Sequence, residues 1–379
     1  MSKTTLIFTF VIMATKLDII PIKQWMNDIN HPFIVSGPCS AETENQVLQT
    51  AHELKKVAGV KVFRAGIWKP RTRPNYFEGV GKKGLKWLQR VKSETGLKLA
   101  VEVASPQHVE ECLKHDIDMF WLGARTVVNP FSVQEITEAL RGVSNPIMIK
   151  NPVNPDLKLW IGAIERVYAA GANKLIAIHR GFYTLNKSLF RNPPMWEMPI
   201  ELKRAIPNLP ILVDPSHIAG TTNLIPHIAQ KAMDLEMDGL MIESHHRPDS
   251  ALSDAEQQIT PNQLGELLDG LVIRDRSDRS DFQDKLAEFR TQIDEIDDEL
   301  LDILSKRMDI VNEIGAYKKD NKITILQLKR WSYIIENRIK KGVDQGLSKE
   351  FLVKVLKLIH IESMRIQTEI MNIHKQNEE

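Results

Sequence analysis

The chain has 379 residues, of which 42% are hydrophobic and 26% are charged, so it can bury a large core and form two domains. Its formal net charge of +1 excludes an overall basic field, and nucleic acid is therefore not an expected partner. The two cysteines, Cys39 and Cys112, lie in no CxxC pair and cannot form a disulfide framework, which favours a reducing, cytoplasmic setting.

The chain begins with a short apolar segment, Leu6 to Ala14, which follows a single cationic side chain, Lys3. The segment is far shorter than the roughly 20 residues that span a bilayer, and it would make a poor signal peptide. We expect no membrane association. Residues 1–16 are interpreted as an extension, either an over-extended start upstream of Met13 or a β-strand packed under the first domain.

Eight short apolar runs come next, and each stops on a charged, polar or metal-binding residue. They are Phe33–Cys39, Val60–Arg64, Leu99–Glu102, Met119–Arg125, Ile147–Lys150, Leu175–Arg180, Ile211–His217 and Leu240–Glu243. Amphipathic stretches long enough for a crossover helix separate them, which is the rhythm of parallel βα units. Eight such units predict a (β/α)₈ barrel of the TIM type over residues 17–273, with the polar strand ends gathered at one mouth.

Four of the polar residues form a candidate metal site. Cys39, His217 and Glu243 end the first, seventh and eighth runs, and Asp254 lies in the loop beyond the eighth. These ligands can converge because strand eight pairs with strand one in a closed barrel. One thiolate, one imidazole and two carboxylates suit a single first-row divalent ion such as Mn, Fe, Co or Zn.

Positive side chains crowd the same mouth, at or just past strands two, four, five and six. They are Arg64, Lys69, Arg71, Arg125, Lys150 and Arg180. Six cations in one place repel each other unless anions are bound, and arginine is well suited to binding phosphate and carboxylate. The sequence therefore predicts a heavily anionic substrate with at least one phosphate.

Several motifs at these strand ends resemble a known family. They are Ser36-Gly-Pro-Cys39, Lys69-Pro-Arg-Thr72, Gly123-Ala-Arg125, Lys150-Asn-Pro152, His179-Arg-Gly181, Asp214-Pro-Ser-His217 and Ala251-Leu-Ser-Asp254. In order and spacing they are similar to the type I 3-deoxy-D-arabino-heptulosonate 7-phosphate (DAHP) synthases, beta subgroup. The resemblance implies the condensation of phosphoenolpyruvate with erythrose 4-phosphate, with release of phosphate.

The same resemblance implies a role for each residue. The residues implied to hold phosphoenolpyruvate are Arg64, Arg125, Lys150 and Arg180, and those implied to hold the sugar phosphate are Lys69, Arg71 and Thr72. The metal ion would polarise the aldehyde, and Glu102 with Lys150 would manage the water that adds to the second carbon of phosphoenolpyruvate.

A zwitterionic run at residues 274–281 has nothing to bury and predicts an exposed linker. After it the pattern is helical, and residues 282–379 are expected to form an all-α domain of three helices. Apolar residues from Leu286 to Ile303 recur every three or four positions, which indicates one long packed helix. The next position in this apolar series is Arg307. Burying its charge there is unfavourable unless an anion binds to it. Arg290 lies about 25 Å away along the helix, so both can serve one site only in an intertwined dimer.

This second domain resembles the all-helical chorismate mutases. The matching positions are Arg290, Arg307, Lys318, Arg330, Ser363 and Gln367. The resemblance implies rearrangement of chorismate to prephenate with neither nucleophile nor metal. Lys318 and Gln367 would face the ether oxygen, while Arg307, Arg330 and Arg290 of the partner subunit would bind carboxylates. Gln327 and Trp331 stand where some members carry carboxylates that contact the substrate hydroxyl.

Three functions remain open at this level. The expected one is a bifunctional synthase and mutase, a homodimer through the helical domain or a larger assembly, with feedback by prephenate or chorismate. The second is a synthase whose helical domain is mainly a regulatory sensor. The third is a related synthase that makes an eight-carbon sugar acid, which is disfavoured because Lys69-Pro-Arg-Thr72 resembles the motif for the four-carbon acceptor.

Overall fold

The structure, a computed structural model, describes residues 17–26, 31–69, 77–185, 188–274 and 280–372, and for residues 280–283 and 328–330 it describes the backbone only. The chain divides into two compact units, Met1–Arg274 and Asp275–Glu379. The first unit contains the strands and the second is helical.

Eight parallel strands are found in the described part of the first unit. They are β1 (Phe33–Gly37), β2 (Val60–Arg64), β3 (Lys98–Val103), β4 (Met119–Leu122), β5 (Ile147–Lys150), β6 (Leu175–His179), β7 (Ile211–Val213) and β8 (Gly239–Glu243). They pair in chain order, and β8 pairs with β1 so that Phe33 lies opposite Gly239. The predicted closed (β/α)₈ barrel is confirmed.

Helices connect successive strands, and further helices precede β1 and follow β8. In the described part of the first unit they are α1 (Ile22–Trp25), α2 (Glu44–Leu54), α3 (Lys83–Thr95), α4 (Pro106–Lys114), α5 (Ala124–Val127), α6 (Pro130–Ala139), α7 (Leu157–Ala169), α8 (Glu197–Ala205), α9 (Pro215–Ala219), α10 (Ile225–Asp234) and α11 (Pro261–Asp269). Local sequence explains their ends. The side chain of Asp156, for example, accepts a hydrogen bond from the backbone N–H of Leu159 and caps α7, and α3 ends at Gly96 with a φ of 70°.

Two apolar clusters hold the barrel together. Strands such as β5 and β6 are buried at every position, as expected for a parallel sheet covered by helices. Alternate side chains of the strands point into the barrel and, together with Ile22 of α1, form an inner cluster. Its strand members are Phe33, Val35, Val62, Ala100, Met119, Trp121, Met148, Ile176, Ile178, Leu212 and Met241. The intervening side chains, Phe63 and Leu99 among them, pack against the helices.

The second unit consists of three helices in its described residues: α12 (Ser280–Asp320), α13 (Leu328–Asp344) and α14 (Lys349–Asn372). The expected three-helix architecture is confirmed, and α12 begins two residues before residue 282, where the domain was expected to start. Helices α12 and α14 approach closely at Gly315, where an added Cβ would lie 2.7 Å from Ile370 Cδ1. A larger residue at position 315 would therefore require the end of the Ile370 side chain to move.

Among the described residues, no helix is both long enough and apolar enough to cross a membrane.

Candidate active sites

The strand ends place a ring of charged side chains at the mouth of the barrel. Side chains two positions apart on a strand point the same way, so the residue two positions after an inward-facing apolar residue also faces inward. At six strands that residue is charged: Arg64, Glu102, Lys150, Arg180, Asp214 and Glu243. The same alternation that builds the apolar interior therefore assembles the site above it.

Three of the four expected metal ligands meet at this mouth. Single ligand atoms of Cys39, Glu243 and Asp254 all lie within 4.8 Å of one another, and Cys39 Sγ is 3.4 Å from Asp254 Oδ2. The fourth, His217, lies beside them, with Nε2 3.8 Å from Glu243 Oε1. These residues come from β8 and from the segments that follow β1, β7 and β8, as the pairing of β8 with β1 requires.

The surroundings of this cluster fit a divalent cation. Nδ1 of His217 lies 2.8 Å from Asp214 Oδ2, which is the carboxylate support that orients most metal-binding imidazoles. Burial, together with the negative charge of Glu243, raises the pKa of Cys39 to about 11. A nearby cation would reverse that effect and favour the thiolate. The donor set suits a first-row divalent ion.

Arg64 is fixed beneath the candidate metal ligands. Its side chain is only 1% exposed. Nη1 donates to Glu243 Oε1 at 2.9 Å, and Nη2 donates to the carbonyl oxygen of Cys39 at 3.2 Å. The guanidinium also lies 4.8 Å from the centre of the Trp121 ring. Arg64 thus holds one ligand side chain and the backbone of another.

The cations converge on a cavity of 370 Å³ at the mouth of the barrel. Among its lining residues are seven of the predicted site residues: Lys69, Glu102, Arg125, Lys150, Arg180, His217 and Asp254. Burial lowers the pKa of Arg180 to about 10, and the neighbouring charges of Arg191 and Arg125 act in the same direction. The charge of Asp214 opposes these effects only in part, and the negative charge of a bound anion would offset them further, which suits the cavity to phosphate or carboxylate.

Lys150 and Glu102 face the cavity from different strands, and each has a fixed partner. Lys150 Nζ donates to Asp214 Oδ2 at 2.9 Å. Burial alone would raise the pKa of Asp214, but the charges of His217 and Lys150 hold it well below its usual value. Glu102 Oε2 accepts a hydrogen bond from Trp121 Nε1 at 3.1 Å. An added Cβ at Gly123 would lie 2.0 Å from Glu102 Oε1, so only glycine leaves room for this carboxylate.

Sequence reasoning missed a pair of neighbouring residues that connects the site. Asn192 Oδ1 accepts from Arg180 Nη1 at 2.9 Å, while its Nδ2 donates to the carbonyl oxygen of His217 at 2.6 Å. Arg191 Nη1 donates to Asp254 Oδ1 at 3.0 Å and to Gln257 Oε1 at 2.6 Å. The only sequence signal was a polar pair ahead of two prolines in a loop, which is too common to identify a site.

The predicted sugar-phosphate residues are only partly described. Lys69 lies in the cavity wall, with Nζ 3.2 Å from Cys39 Sγ. Arg71 and Thr72 lie outside the described residues.

In the helical unit, two pairs of predicted site residues lie between α12 and α14. Arg307 Nη1 donates to Ser363 Oγ at 2.7 Å. Lys318 Nζ donates to Gln367 Oε1 at 3.0 Å and to the carbonyl oxygen of Ile325 at 2.7 Å. Lys318 is only 8% exposed, and burial lowers its pKa. Arg307 and Lys318, with their partners Ser363 and Gln367, therefore form a polar site between α12 and α14.

The two remaining predicted residues are not brought to this site by the structure described. Arg290 is exposed on α12, seventeen positions before Arg307, which is about 25 Å along one helix. Arg330 lies in α13, but only its backbone is described.

Comparisons with known proteins agree with this division. The model of the DAHP synthetase I family matches residues 20–275, and that of chorismate mutase type II matches residues 289–368. Phospho-2-dehydro-3-deoxyheptonate aldolase of Thermotoga maritima is 30% identical over 226 residues, which cover 60% of this chain and 64% of that enzyme. The chain thus spans slightly less than two thirds of that relative.

A second relative and a solved structure are also similar. The 2-dehydro-3-deoxyphosphooctonate aldolase of Vesicomyosocius okutanii is 28% identical, with coverage of 63% of this chain and 90% of the relative. The crystal structure of the DAHP synthase from Thermotoga maritima superposes with a TM-score of 0.58 and 29% identity, covering 64% of this chain and 70% of that one.

Proposed function

The chain belongs to the DAHP synthetase I family, and from this membership we propose that it is a bifunctional enzyme of aromatic biosynthesis. Its barrel condenses phosphoenolpyruvate with erythrose 4-phosphate, and its helical unit rearranges chorismate to prephenate. The cavity that gathers Lys69, Arg125, Lys150 and Arg180 beside the candidate metal ligands carries the first assignment.

Phosphoenolpyruvate carries a phosphate and a carboxylate, which match the cations of the cavity. We assign Arg125, Lys150 and Arg180 to its anionic groups, because all three line the cavity. Arg64 is buried and already paired with Glu243, so it supports the metal ligands as well as contributing positive charge. Lys69 is assigned to the phosphate of the second substrate, together with Arg71 and Thr72.

Two groups are placed to handle protons. Lys150 Nζ donates to Asp214 Oδ2, and this contact holds the ammonium in place as a proton donor facing the cavity. The carboxylate of Glu102 faces the same cavity and can accept a proton from the water that adds to the second carbon of phosphoenolpyruvate.

Cys39, His217, Glu243 and Asp254 would hold one divalent ion, Mn, Fe, Co or Zn. Such an ion supplies a Lewis acid that polarises the aldehyde carbonyl. Arg64 and Asp214 keep its ligands oriented through the contacts with Glu243 and His217.

The acceptor sugar is the most direct test of the barrel function, because a related family uses an arabinose phosphate. We expect condensation with erythrose 4-phosphate at a kcat/KM at least about 100-fold above that with arabinose 5-phosphate, since a site that pairs each polar group of one substrate rejects a mismatched one. Release of phosphate measured with each aldose checks this. A preference for arabinose 5-phosphate would instead identify the eight-carbon sugar acid synthase.

The pairs Arg307 with Ser363 and Lys318 with Gln367 carry the mutase assignment. Chorismate has two carboxylates for Arg307, Arg330 and Arg290 of the partner subunit. Lys318 and Gln367 would donate hydrogen bonds to the ether oxygen, where negative charge develops in the rearrangement.

A homodimer, alone or within a larger assembly, would explain two features of α12. Arg290 cannot reach Arg307 within one chain, and an apolar series on the same helix is exposed. Its members include Leu286, Phe289, Ile293, Ile296, Leu300 and Ile303, between 45% and 62% exposed. An apolar surface of this kind is typical of an interface between subunits.

A cytoplasmic location is supported by cysteine usage, since Cys39 and Cys112 are both free.

We further propose that prephenate or chorismate bound in the helical unit inhibits the synthase. Linkage requires that the ligand bind one state of the enzyme more tightly. Synthase rates should fall when prephenate is added to the wild type and should not fall in Arg307→Ala, whose mutase site lacks a carboxylate-binding group. Equal inhibition of both proteins would move the regulatory site elsewhere. Inhibition without mutase turnover would support the sensor function instead.

A further inference from the structure

A histidine and a tryptophan form a stacked pair in the helical unit. The rings of Trp331 in α13 and His360 in α14 have centroids 3.8 Å apart and planes inclined by 15°. Both side chains are half-buried. Stacking over one face fixes the orientation of the imidazole and leaves the ring nitrogens at its edge available.

His360 lies on the same face of α14 as two residues of the proposed mutase site. Positions three and seven residues further along a helix return to the same side, and those positions are Ser363 and Gln367. Burial lowers the pKa of His360, and the positive charges of Arg307 and Lys318 lower it further. The neutral form of the imidazole is therefore favoured near pH 7. The effect of Arg307 and Lys318 on its pKa also shows that His360 lies near both cations.

A neutral imidazole has one nitrogen that accepts a hydrogen bond. Within the part of the helical unit whose side chains are described, neither ring nitrogen of His360 has a hydrogen-bond partner. The other two candidate acceptors are engaged, because Ser363 Oγ accepts from Arg307 and Gln367 Oε1 accepts from Lys318. Gln327, which precedes α13, is exposed. Among the described side chains named here, His360 is thus the half-buried acceptor that is not already engaged.

The substrate of the proposed mutase offers a matching donor. Its two carboxylates and its ether oxygen are acceptors that the cations and amide of the site satisfy, which leaves the ring hydroxyl as its hydrogen-bond donor. We propose that His360 is a specificity-determining residue of the mutase site, whose imidazole accepts the hydrogen bond of the substrate's ring hydroxyl while Trp331 holds the ring in place. This inference rests on the proposed mutase function.

His360→Phe tests the inference, because phenylalanine keeps a ring against Trp331 and removes both nitrogens. We expect kcat/KM for chorismate to fall about tenfold or more, the usual scale for losing one hydrogen bond in a half-buried site. An analogue of chorismate with hydrogen in place of the ring hydroxyl should be converted equally by wild type and variant. His360→Gln, which restores an acceptor, should recover part of the loss with chorismate.

The control is His227→Phe, the same exchange at an exposed position of α10, which should leave mutase kinetics unchanged. If His360→Phe slows the conversion of chorismate and of the analogue equally, or slows neither, the proposed contact between His360 and the ring hydroxyl is wrong. If the wild type neither converts chorismate nor binds prephenate in calorimetry, the proposed mutase function itself is wrong. Circular dichroism of each variant separates unfolding from loss of the contact.

Discussion

Replacing Cys39 by alanine should abolish synthase activity and leave the mutase rate of the same protein unchanged. Cys39 supplies the one sulfur ligand of the candidate metal site, and its Sγ lies against both Asp254 and Lys69. Losing a Lewis acid that supplies several kcal/mol of transition-state stabilisation should slow condensation by about 10³-fold or more. Phosphate release and prephenate formation, assayed on one preparation, measure the two effects.

The matched control for this variant is Cys112→Ala. Cys112 is buried in α4, away from the site residues, and serves as a small apolar side chain of the outer core. The control should bind Mn²⁺ like the wild type, measured by electron paramagnetic resonance, whereas Cys39→Ala should bind it weakly. Unchanged Mn²⁺ binding and unchanged synthase rates in Cys39→Ala would contradict the metal assignment.

Replacing Lys318 by alanine should reduce the mutase activity and leave the synthase activity unchanged, which is the opposite of the effect expected for Cys39→Ala. Its Nζ is buried and aimed at Gln367 Oε1 between α12 and α14, where it would donate to the ether oxygen of chorismate. Removal of one such donor typically costs 10² to 10³ in rate, so we expect a loss of about 10²-fold to 10³-fold in kcat with full synthase activity.

Lys319→Ala is the control for charge, because Lys319 is the next residue of α12 and lies outside the proposed site. Thermal unfolding should accompany both assays, since Lys318 also binds the carbonyl oxygen of Ile325. If Lys318→Ala and Lys319→Ala have equal mutase rates, Lys318 does not contact the reacting atoms.

The barrel could be predicted from sequence because its strands follow a local rule. Each apolar run is mostly buried and ends at a polar residue, and parallel pairing gathers those ends at one mouth. Arg64, Lys150 and Arg180 were found in this way. Arg191 and Asn192 were not, because they lie in a loop whose position depends on contacts with Arg180, His217 and Asp254, which are distant in sequence.

The sequence alone determined the order of elements, the boundary region between barrel and helices, and the types of group that meet at each site, since these depend on periodicity and spacing along the chain. Only the tertiary structure decided which groups are already paired: Arg64 with Glu243, Lys150 with Asp214 and Lys318 with Gln367. It also revealed the stacking of His360 on Trp331. Distances of a few ångströms between separate helices or strands arise from packing, and no local pattern encodes them.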